Sequence, residues 1–357
     1  MKGRNIIILS GGGTGGSVTP LLALVTDLKN LGFEAVWVGT KSGIEREIVS
    51  QIKLRYISIS AGKFRRYVSF QNILDPFRIL IGFFESLSLL SKIQPSLVMT
   101  AGGYVSVPLV WAAWALRIPI IVHQQDIIPG LANRLMAPFA HNITVTFEQN
   151  VKNYGEKAIW TGNPVREEFL NTSLENNIIT DSGDDKHSKR ILIIGGGTGS
   201  EVINRLVLVS LSALTSITSI VHITGREVDK EKALMERYIP YTFLTANLLA
   251  QEMKKADVII SRAGMGTLTE LSFLGKPTII IPMPHSHQEA NARLFLNQGA
   301  AIVLEEEHLT PEQFIGTVKD LLDNNEKQNK LARQIKSVIK KEAEKNILSV
   351  IKSLLRK

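Results

Sequence analysis

The chain has 357 residues, 44% hydrophobic and 21% charged, which is typical of a globular protein with room for two domains. It contains no cysteine, which excludes disulfides and thiolate metal sites, and its seven histidines lack the spacing of metal ligands. The formal net charge of +8 favours anionic partners such as a membrane surface, nucleotides or nucleic acid, without choosing among them. No secretory leader precedes the first predicted strand, so we expect a cytoplasmic protein.

The chain begins with a predicted strand, a glycine turn and a helix. Residues 6–9 are apolar and mostly β-branched, residues 11–16 include five glycines, and a helix is predicted over residues 20–31 behind an N-cap at Thr19. Glycines let the backbone approach a ligand, and the start of a helix favours negative charge. The segment therefore predicts a phosphate or substrate turn, and a tight turn without a ligand is the alternative.

A second strand and glycine turn follow at residues 191–200. Both turns contain Gly-Gly-Gly-Thr-Gly, and neither is a P-loop because no Gly-Lys-Ser/Thr follows. The distance between them is too long for a solenoid repeat and suits two similar domains. Strands and helices alternate after each turn, which predicts two doubly wound, Rossmann-like α/β domains. We assign residues 1–165 to the first and 166–357 to the second, with a helical stretch over 311–355 that packs back on the first.

Residues 63–92 interrupt this alternation. Residues 63–67 are basic and aromatic, and a helix predicted over 73–90 has apolar residues on more than one side. Apolar and basic residues together are typical of a patch that binds a membrane surface. Acidic and basic residues interrupt the helix, so it is not a transmembrane span. A core helix beside a basic loop is the alternative.

Candidate site residues follow predicted strands, because the carboxyl ends of parallel strands face the ligand crevice of an open α/β sheet. In the first domain they are His123, Gln125 and Asp126, and a purely structural histidine is the alternative for His123. In the second domain a glycine turn begins at Arg262, and a polar loop at residues 285–293 leads into a helix.

Taken together, these stretches resemble the MurG family, the N-acetylglucosaminyltransferases that convert the first undecaprenyl-pyrophosphoryl muramyl-peptide lipid of peptidoglycan synthesis into the second. The matching motifs keep the family's order over about residues 5–300. They are Gly12-Gly13-Thr14-Gly15-Gly16…Pro20, Gly102-Gly103-Tyr104-Val105-Ser106…Pro108, His123-Gln124-Gln125, Gly162-Asn163-Pro164-Val165-Arg166, Ser261-Arg262-Ala263-Gly264…Thr267…Glu270 and His287-Gln288…Asn291-Ala292. The resemblance implies an α/β fold of two Rossmann-like doubly wound domains with an interdomain cleft (the GT-B type), and neither a metal nor a cofactor.

The resemblance also implies roles for individual residues. Glu270 would hold the nucleotide ribose, Gln288 and Asn291 the N-acetylglucosamine, and Arg166 would lie near the nucleotide. The first-domain glycine turns would face the acceptor's pyrophosphate, and helix N-termini with Arg166 or Arg262 would supply positive potential. The other implied substrate-binding residues are Thr14, Gly15, Gly16, Gly103, Tyr104, Gln125, Gly197, Thr198, Gly264, Met265, Gly266, Thr267 and His287.

Three positions depart from the family pattern. Ser17 replaces a histidine, and serine cannot act unaided as a base near neutral pH. Asp126 replaces an amide, and Gly197 replaces a phosphate-binding serine, which leaves Thr198 and backbone N–H groups for that contact. Asp126 or His123 is therefore the candidate base by elimination, and Ser17 is the third catalytic candidate.

The implied reaction is an inverting transfer of N-acetylglucosamine from UDP-N-acetylglucosamine to the undecaprenyl-pyrophosphate-linked muramyl peptide (lipid I to lipid II). We expect a peripheral protein at the cytoplasmic face of the cell membrane, bound to its anionic inner leaflet, with no nucleic-acid partner. A glycosyltransferase with another lipid or sugar acceptor, or a catalytically weakened sugar-nucleotide-binding protein, are the alternatives. A dinucleotide-dependent dehydrogenase is disfavoured, because neither glycine turn has the G-x-G-x-x-G spacing followed by a ribose-binding acid.

Overall fold

The structure, a computed structural model, describes residues 4–63, 71–170, 189–196, 199–227 and 234–356. The chain forms two compact units, of which the first contains Met1–Arg166 with Lys340–Lys357 and the second Glu167–Ile339. Each unit has its own sheet with all strands parallel. The predicted class, two doubly wound α/β domains, is confirmed.

Helices lie between most of the consecutive strands in the described parts of the chain. The strands are β1 (Arg4–Ser10), β2 (Glu34–Gly39), β3 (Arg55–Ser58), β4 (Pro95–Thr100), β5 (Ile120–Gln124), β6 (Asn142–Val145), β7 (Ala158–Trp160), β8 (Arg190–Ile194), β9 (Ser219–Ile223), β10 (Tyr238–Tyr241), β11 (Val258–Ser261), β12 (Thr278–Ile280) and β13 (Ile302–Val303). The helices are α1 (Thr19–Leu22), α2 (Val25–Asn30), α3 (Ile44–Gln51), α4 (Gln71–Ile93), α5 (Ser106–Ala115), α6 (Leu131–Met136), α7 (Glu167–Leu170), α8 (Glu201–Val209), α9 (Leu211–Thr215), α10 (Ala246–Lys255), α11 (Met265–Leu274), α12 (His287–Asn297), α13 (Pro311–Asp323), α14 (Asn325–Val338) and α15 (Ala343–Arg356).

The first sheet has the order β3-β2-β1-β4-β5-β6-β7 and is covered on both faces. One face packs against α4 and α5, and residues such as Leu90 and Leu109 are fully or almost fully buried there. On the other face Ile7 and Trp37 share a buried cluster with Ile347 of α15. The last helix therefore completes the core of the first unit, although it follows the second unit in sequence.

The second sheet has the order β10-β9-β8-β11-β12-β13. Its core combines the apolar strands β8 and β11 with α8 and with the buried face of α13. A capping box of Thr310 and Gln313 begins α13, and the side chain of Asn324 caps α14. The Asn324 cap and a second break at residues 339–342 divide the predicted helical stretch over 311–355 into three helices.

The predicted helix over residues 20–31 is two short helices, α1 and α2. At the break the N–H of Leu24 bonds to the carbonyl of Leu21, three residues back, at 3.2 Å. This is the tighter 3₁₀ geometry, which interrupts the α-helical ladder. The prediction of one continuous helix was therefore wrong, and Pro20 still lies in the first turn, where its missing N–H costs nothing.

Candidate active site

The two glycine turns of the first unit meet because they follow adjacent strands, β1 and β4. A Cβ on Gly103 would overlap the backbone of Gly12, and Gly103 has a φ of +92°, so only glycine fits this close approach. The ring of Tyr104 lies 3.1 Å from where a Cβ on Gly13 would be. Gly15 and Gly16 continue the first turn in a short 3₁₀ segment after the exposed Thr14.

Ser17 is almost fully buried at the end of the first glycine turn. Its hydroxyl lies 3.1 Å from the carbonyl oxygens of both Gly12 and Thr14, to which it can donate its proton. In this arrangement the hydroxyl stabilises the turn from within, as Ser and Thr side chains commonly do in turns.

His123 is fully buried near the end of β5, between two polar partners. Its Nε2 lies 2.7 Å from Oδ1 of Asn163, and its Nδ1 lies 2.9 Å from the hydroxyl of Thr144. Because an amide oxygen only accepts, Nε2 carries the proton and Nδ1 accepts from Thr144. Burial lowers the pKa of His123 to about 4. A neutral histidine with both nitrogens occupied favours the structural interpretation over a role as the base.

Asp126 follows β5, and its backbone is fixed by two amide side chains. Its carbonyl accepts from Gln124 at 2.6 Å and from Asn150 at 2.9 Å, while its side chain is partly exposed. Asn133 in turn donates to the side-chain oxygen of Gln124 at 2.6 Å. Sequence reasoning quoted Gln124 only within a motif and missed this function. An amide at the end of a buried strand was the available signal.

Gln125 and Arg166 lie at two other predicted positions of the first unit. The Gln125 amide donates to the carbonyl of Ala101 at 3.3 Å, which connects the ends of β5 and β4. Arg166 is the last residue of the unit's first segment and is partly buried.

In the second unit, Arg262 connects the ends of several strands. Its guanidinium donates to the carbonyls of Ile281 and Pro282, both at 3.1 Å, and to the hydroxyl of Ser200 at 2.6 Å. It also forms an ion pair with Glu306, and its side chain is 9% exposed. A carboxylate of the same unit pairs with the Arg262 charge. The arrangement therefore favours a role in holding loops over the predicted role, in which Arg262 supplies positive potential to the diphosphate.

The glycine turn after β11 leads directly into α11. Gly264 is the extended N-cap residue, and Met265, Gly266 and Thr267 form the first helical turn. The first N–H groups of a helix have no intrahelical partner and make a ready anion site. Glu270 lies further along, in the second turn, and is 4% exposed. The helix thus presents N–H donors at its start with a buried carboxylate beyond them.

The polar loop predicted at residues 285–293 forms the beginning of α12. Gln288 accepts the backbone N–H of Met283 at 3.1 Å through its side-chain oxygen. Asn291 is fully buried and donates to the carbonyl of Ala263 at 3.2 Å, so it binds the turn that precedes α11. His287, the first residue of the helix, is exposed. The turns after β11 and β12 are therefore directly connected.

Some predicted residues lie outside the described part of the chain. They are Gly197 and Thr198 of the turn after β8, and Arg65 and Arg66 of the basic stretch. Within the described residues there is no group of three or more His, Cys, Asp or Glu side chains that could hold a metal ion.

The helix α4 has an apolar stripe on its outer face. Phe77, Leu80, Ile81 and Phe84 are between 52% and 65% exposed, and their spacing places them on one side of the helix. The opposite side is buried and includes Leu90. The helix therefore both packs on the sheet and presents an exposed apolar face. Among the described helices, none has the length and apolarity that a membrane span requires.

Comparison with known proteins gives matches over both units. Residues 7–145 match the glycosyltransferase family 28 N-terminal domain, and residues 190–347 match the family 28 C-terminal domain. The UDP-N-acetylglucosamine–N-acetylmuramyl-(pentapeptide) pyrophosphoryl-undecaprenol N-acetylglucosamine transferase of Clostridium kluyveri is 42% identical over 88% of this chain and 90% of its own length. The enzyme of the same name from Clostridium tetani is 37% identical over 90% of this chain and 91% of its own length. The crystal structure of Acinetobacter baumannii MurG superposes with a TM-score of 0.75 at 24% identity, covering 98% of this chain and 100% of that one.

Proposed function

Since this chain belongs to glycosyltransferase family 28, among the UDP-N-acetylglucosamine–N-acetylmuramyl-(pentapeptide) pyrophosphoryl-undecaprenol N-acetylglucosamine transferases, we propose that it catalyses the same transfer. N-acetylglucosamine moves from UDP-N-acetylglucosamine to lipid I, the undecaprenyl-pyrophosphate-linked muramyl peptide, and yields lipid II. The observation that carries the proposal is the 42% identity to the Clostridium kluyveri enzyme over nearly the full length of both chains.

In this proposal the second unit binds the donor. The N-terminus of α11 faces the diphosphate, and its backbone N–H groups stabilise the negative charge that develops on the departing UDP. Glu270 holds the ribose, and Gln288 with Asn291 orients the N-acetylglucosamine. Arg262 acts indirectly, because its bonds to Ser200 and to the two carbonyls that follow β12 hold the surrounding turns in place.

The first unit supplies the acceptor site and the base. The acceptor hydroxyl attacks C1 of the sugar, the bond from C1 to the diphosphate oxygen breaks, and UDP leaves with inversion at C1. Asp126 accepts the hydroxyl proton, a step that a positioned carboxylate can accelerate. Its partly exposed side chain follows a backbone that two amides hold in place, whereas His123 is fully buried.

The exposed stripe of α4 docks the enzyme on the cytoplasmic face of the membrane, where the lipid acceptor is anchored. Apolar side chains at Phe77 and Phe84 would enter the interface region of the bilayer. The net charge of +8 adds attraction to the anionic lipids of the inner leaflet.

The deciding experiment is transfer of labelled N-acetylglucosamine from the UDP donor to lipid I, with product identified as lipid II. Transfer to another lipid or sugar acceptor but not to lipid I would favour the related-glycosyltransferase alternative. UDP binding by calorimetry without transfer to any acceptor would favour a catalytically weakened sugar-nucleotide-binding protein.

A further inference from the structure

A carboxylate lies beneath the first glycine turn, that of Glu45, the second residue of α3. Its side chain is fully buried, and its Oε2 accepts the backbone N–H of Gly13 at 3.3 Å. Its Oε1 accepts from the backbone N–H of Thr40 at 3.0 Å and from the Thr40 hydroxyl at 2.5 Å. A buried carboxylate is costly unless donors surround it, and here three donors do. Glu45 thus connects the turns that follow β1 and β2.

The chain has glycine at two positions where a side chain would displace this carboxylate. A Cβ on Gly12 would lie 2.8 Å from the carboxyl carbon of Glu45, and a Cβ on Gly43 would overlap the carboxylate oxygens. The hydroxyl of Tyr56 donates to the carbonyl of Thr40 at 2.5 Å, which holds the Thr40 turn from its other side. The surroundings are therefore built to accommodate a carboxylate.

The Gly12-Gly13 segment is in close contact with both Glu45 and the second glycine turn. Glu45 accepts the Gly13 N–H, Gly103 lies against the Gly12 backbone, and the ring of Tyr104 lies close to Gly13. Because these groups are closely packed, a change in how the Gly13 N–H is held alters the surface that the two turns form together.

We propose that Glu45 is a positioning residue for the acceptor. Its carboxylate holds the Gly13 N–H inward, so that the acceptor's diphosphate oxygens are directed to other N–H groups of the turn. In this role Glu45 acts on the substrate only through the turn that it holds. The inference rests on the proposed function, specifically on the assignment of the first-unit glycine turns to the acceptor.

The test is Glu45→Gln, with Glu47→Gln on the exposed side of the same helix as the matched control. Glutamine keeps one acceptor oxygen but places its amide N–H₂ against the backbone N–H of either Gly13 or Thr40, so one of these two bonds is lost. Hydrogen bonds to charged groups are strong enough that we expect the KM for lipid I to rise about tenfold or more. The KM for UDP-N-acetylglucosamine and the calorimetric affinity for UDP should change by less than about twofold, which is small on the same free-energy scale.

Glu45→Asp and Thr40→Val extend the test. Aspartate keeps the charge on a shorter side chain, so it should recover part of the acceptor KM. Thr40→Val removes one donor to Glu45 without touching the glycine turn, and it carries the test if Glu45→Gln does not fold. It should raise the acceptor KM about threefold, which corresponds to the free energy of one ordinary hydrogen bond, and leave the donor KM unchanged.

An unchanged acceptor KM in a folded Glu45→Gln variant would refute this role of Glu45 and leave the proposed function standing. Parallel loss of donor and acceptor affinity with a lowered melting temperature would also refute it, because that is the signature of a merely structural residue. Absence of transfer by the wild-type protein would refute the proposed function and this inference together.

Discussion

Each sheet of the molecule buries a histidine on a strand, and the two sites are closely alike. His123 of β5 is bonded between Asn163 and Thr144, and His222 of β9 lies between Oδ1 of Asn204 at 3.1 Å and the hydroxyl of Tyr238 at 3.0 Å. Burial lowers the pKa of both to about 4.

The two sites differ in the residues at the carboxyl end of each strand. The amides Gln124 and Gln125 and the partly exposed carboxylate Asp126 follow His123, whereas Ile223, Thr224 and Gly225 follow His222. A histidine on a buried strand is therefore a poor sign of catalysis in this fold. His123 and His222 are each neutral and each connect an amide side chain to a hydroxyl, which we call the neutral-clamp interpretation. The partly exposed polar residue after the strand is the more informative feature.

The comparison predicts that both histidines make stability depend on pH in the same way. Their pKa is about 4 in the folded protein and about 6.5 when unfolded, so between these values the unfolded chain binds more protons. Stability should be fully present above about pH 6.5 and fall as the pH decreases to about 4, by about 3 kcal/mol for each histidine.

Urea unfolding at pH 7 and pH 4.5 measures this effect. His123→Gln and His222→Gln should each reduce the pH dependence by a similar amount, although both lower the stability at pH 7. A loss of pH dependence in only one of the two variants would break the equivalence of the two sites.

Asp126→Asn tests whether the carboxylate that follows β5 makes the His123 site catalytic, in contrast to the His222 site. General-base catalysis contributes 10²–10⁴-fold, so we expect kcat to fall at least ~100-fold with little change in UDP affinity. The double variant Ser17→His with Asp126→Asn, which has the residue types of the family pattern at both positions, should recover part of the rate. If Asp126→Asn retains more than half the activity, Asp126 is not the base. His123 would then be the next candidate for the base, which would contradict the neutral-clamp interpretation.

Glu270→Ala extends the comparison to the donor unit. Loss of a hydrogen bond to a charged group costs roughly 1.5–3 kcal/mol, so UDP should bind at least about tenfold more weakly in calorimetry. Glu326→Ala, at an exposed position of α14 in the same unit, is the control and should bind UDP normally. Equal UDP affinity in both variants would remove Glu270 from the site.

The smallest effect is expected at the exposed apolar surfaces. Phe77→Ser with Phe84→Ser should weaken flotation with anionic vesicles about fivefold, because two exposed apolar side chains no longer enter the interface. Phe243 of the second unit is equally exposed, at 60%, so Phe243→Ser is the control and should float like the wild type. Unchanged flotation of the α4 variant would favour the alternative, in which α4 is a core helix that does not bind a membrane.

Fold class and the main elements could be predicted because buried strands and helices have recognisable local patterns of apolar residues. The apolar runs at residues 6–9 and 191–194 become the strands β1 and β8 in the middle of their sheets. Boundaries were less well determined, since the breaks near Leu24 and Asn324 depend on local hydrogen bonds that apolar periodicity does not encode. The short strand β13 was missed, because two residues carry too little pattern.

The sequence by itself determined the two-domain α/β class, the glycine turns and the family to which their order points. Only the tertiary structure decided which atoms of the candidate residues are engaged. Ser17 bonds to its own turn, Arg262 pairs with Glu306, and Glu45 is buried under a turn far from it in sequence. The physical reason is that a hydrogen bond needs donor and acceptor within about 3 Å, and folding alone sets which distant residues come that close.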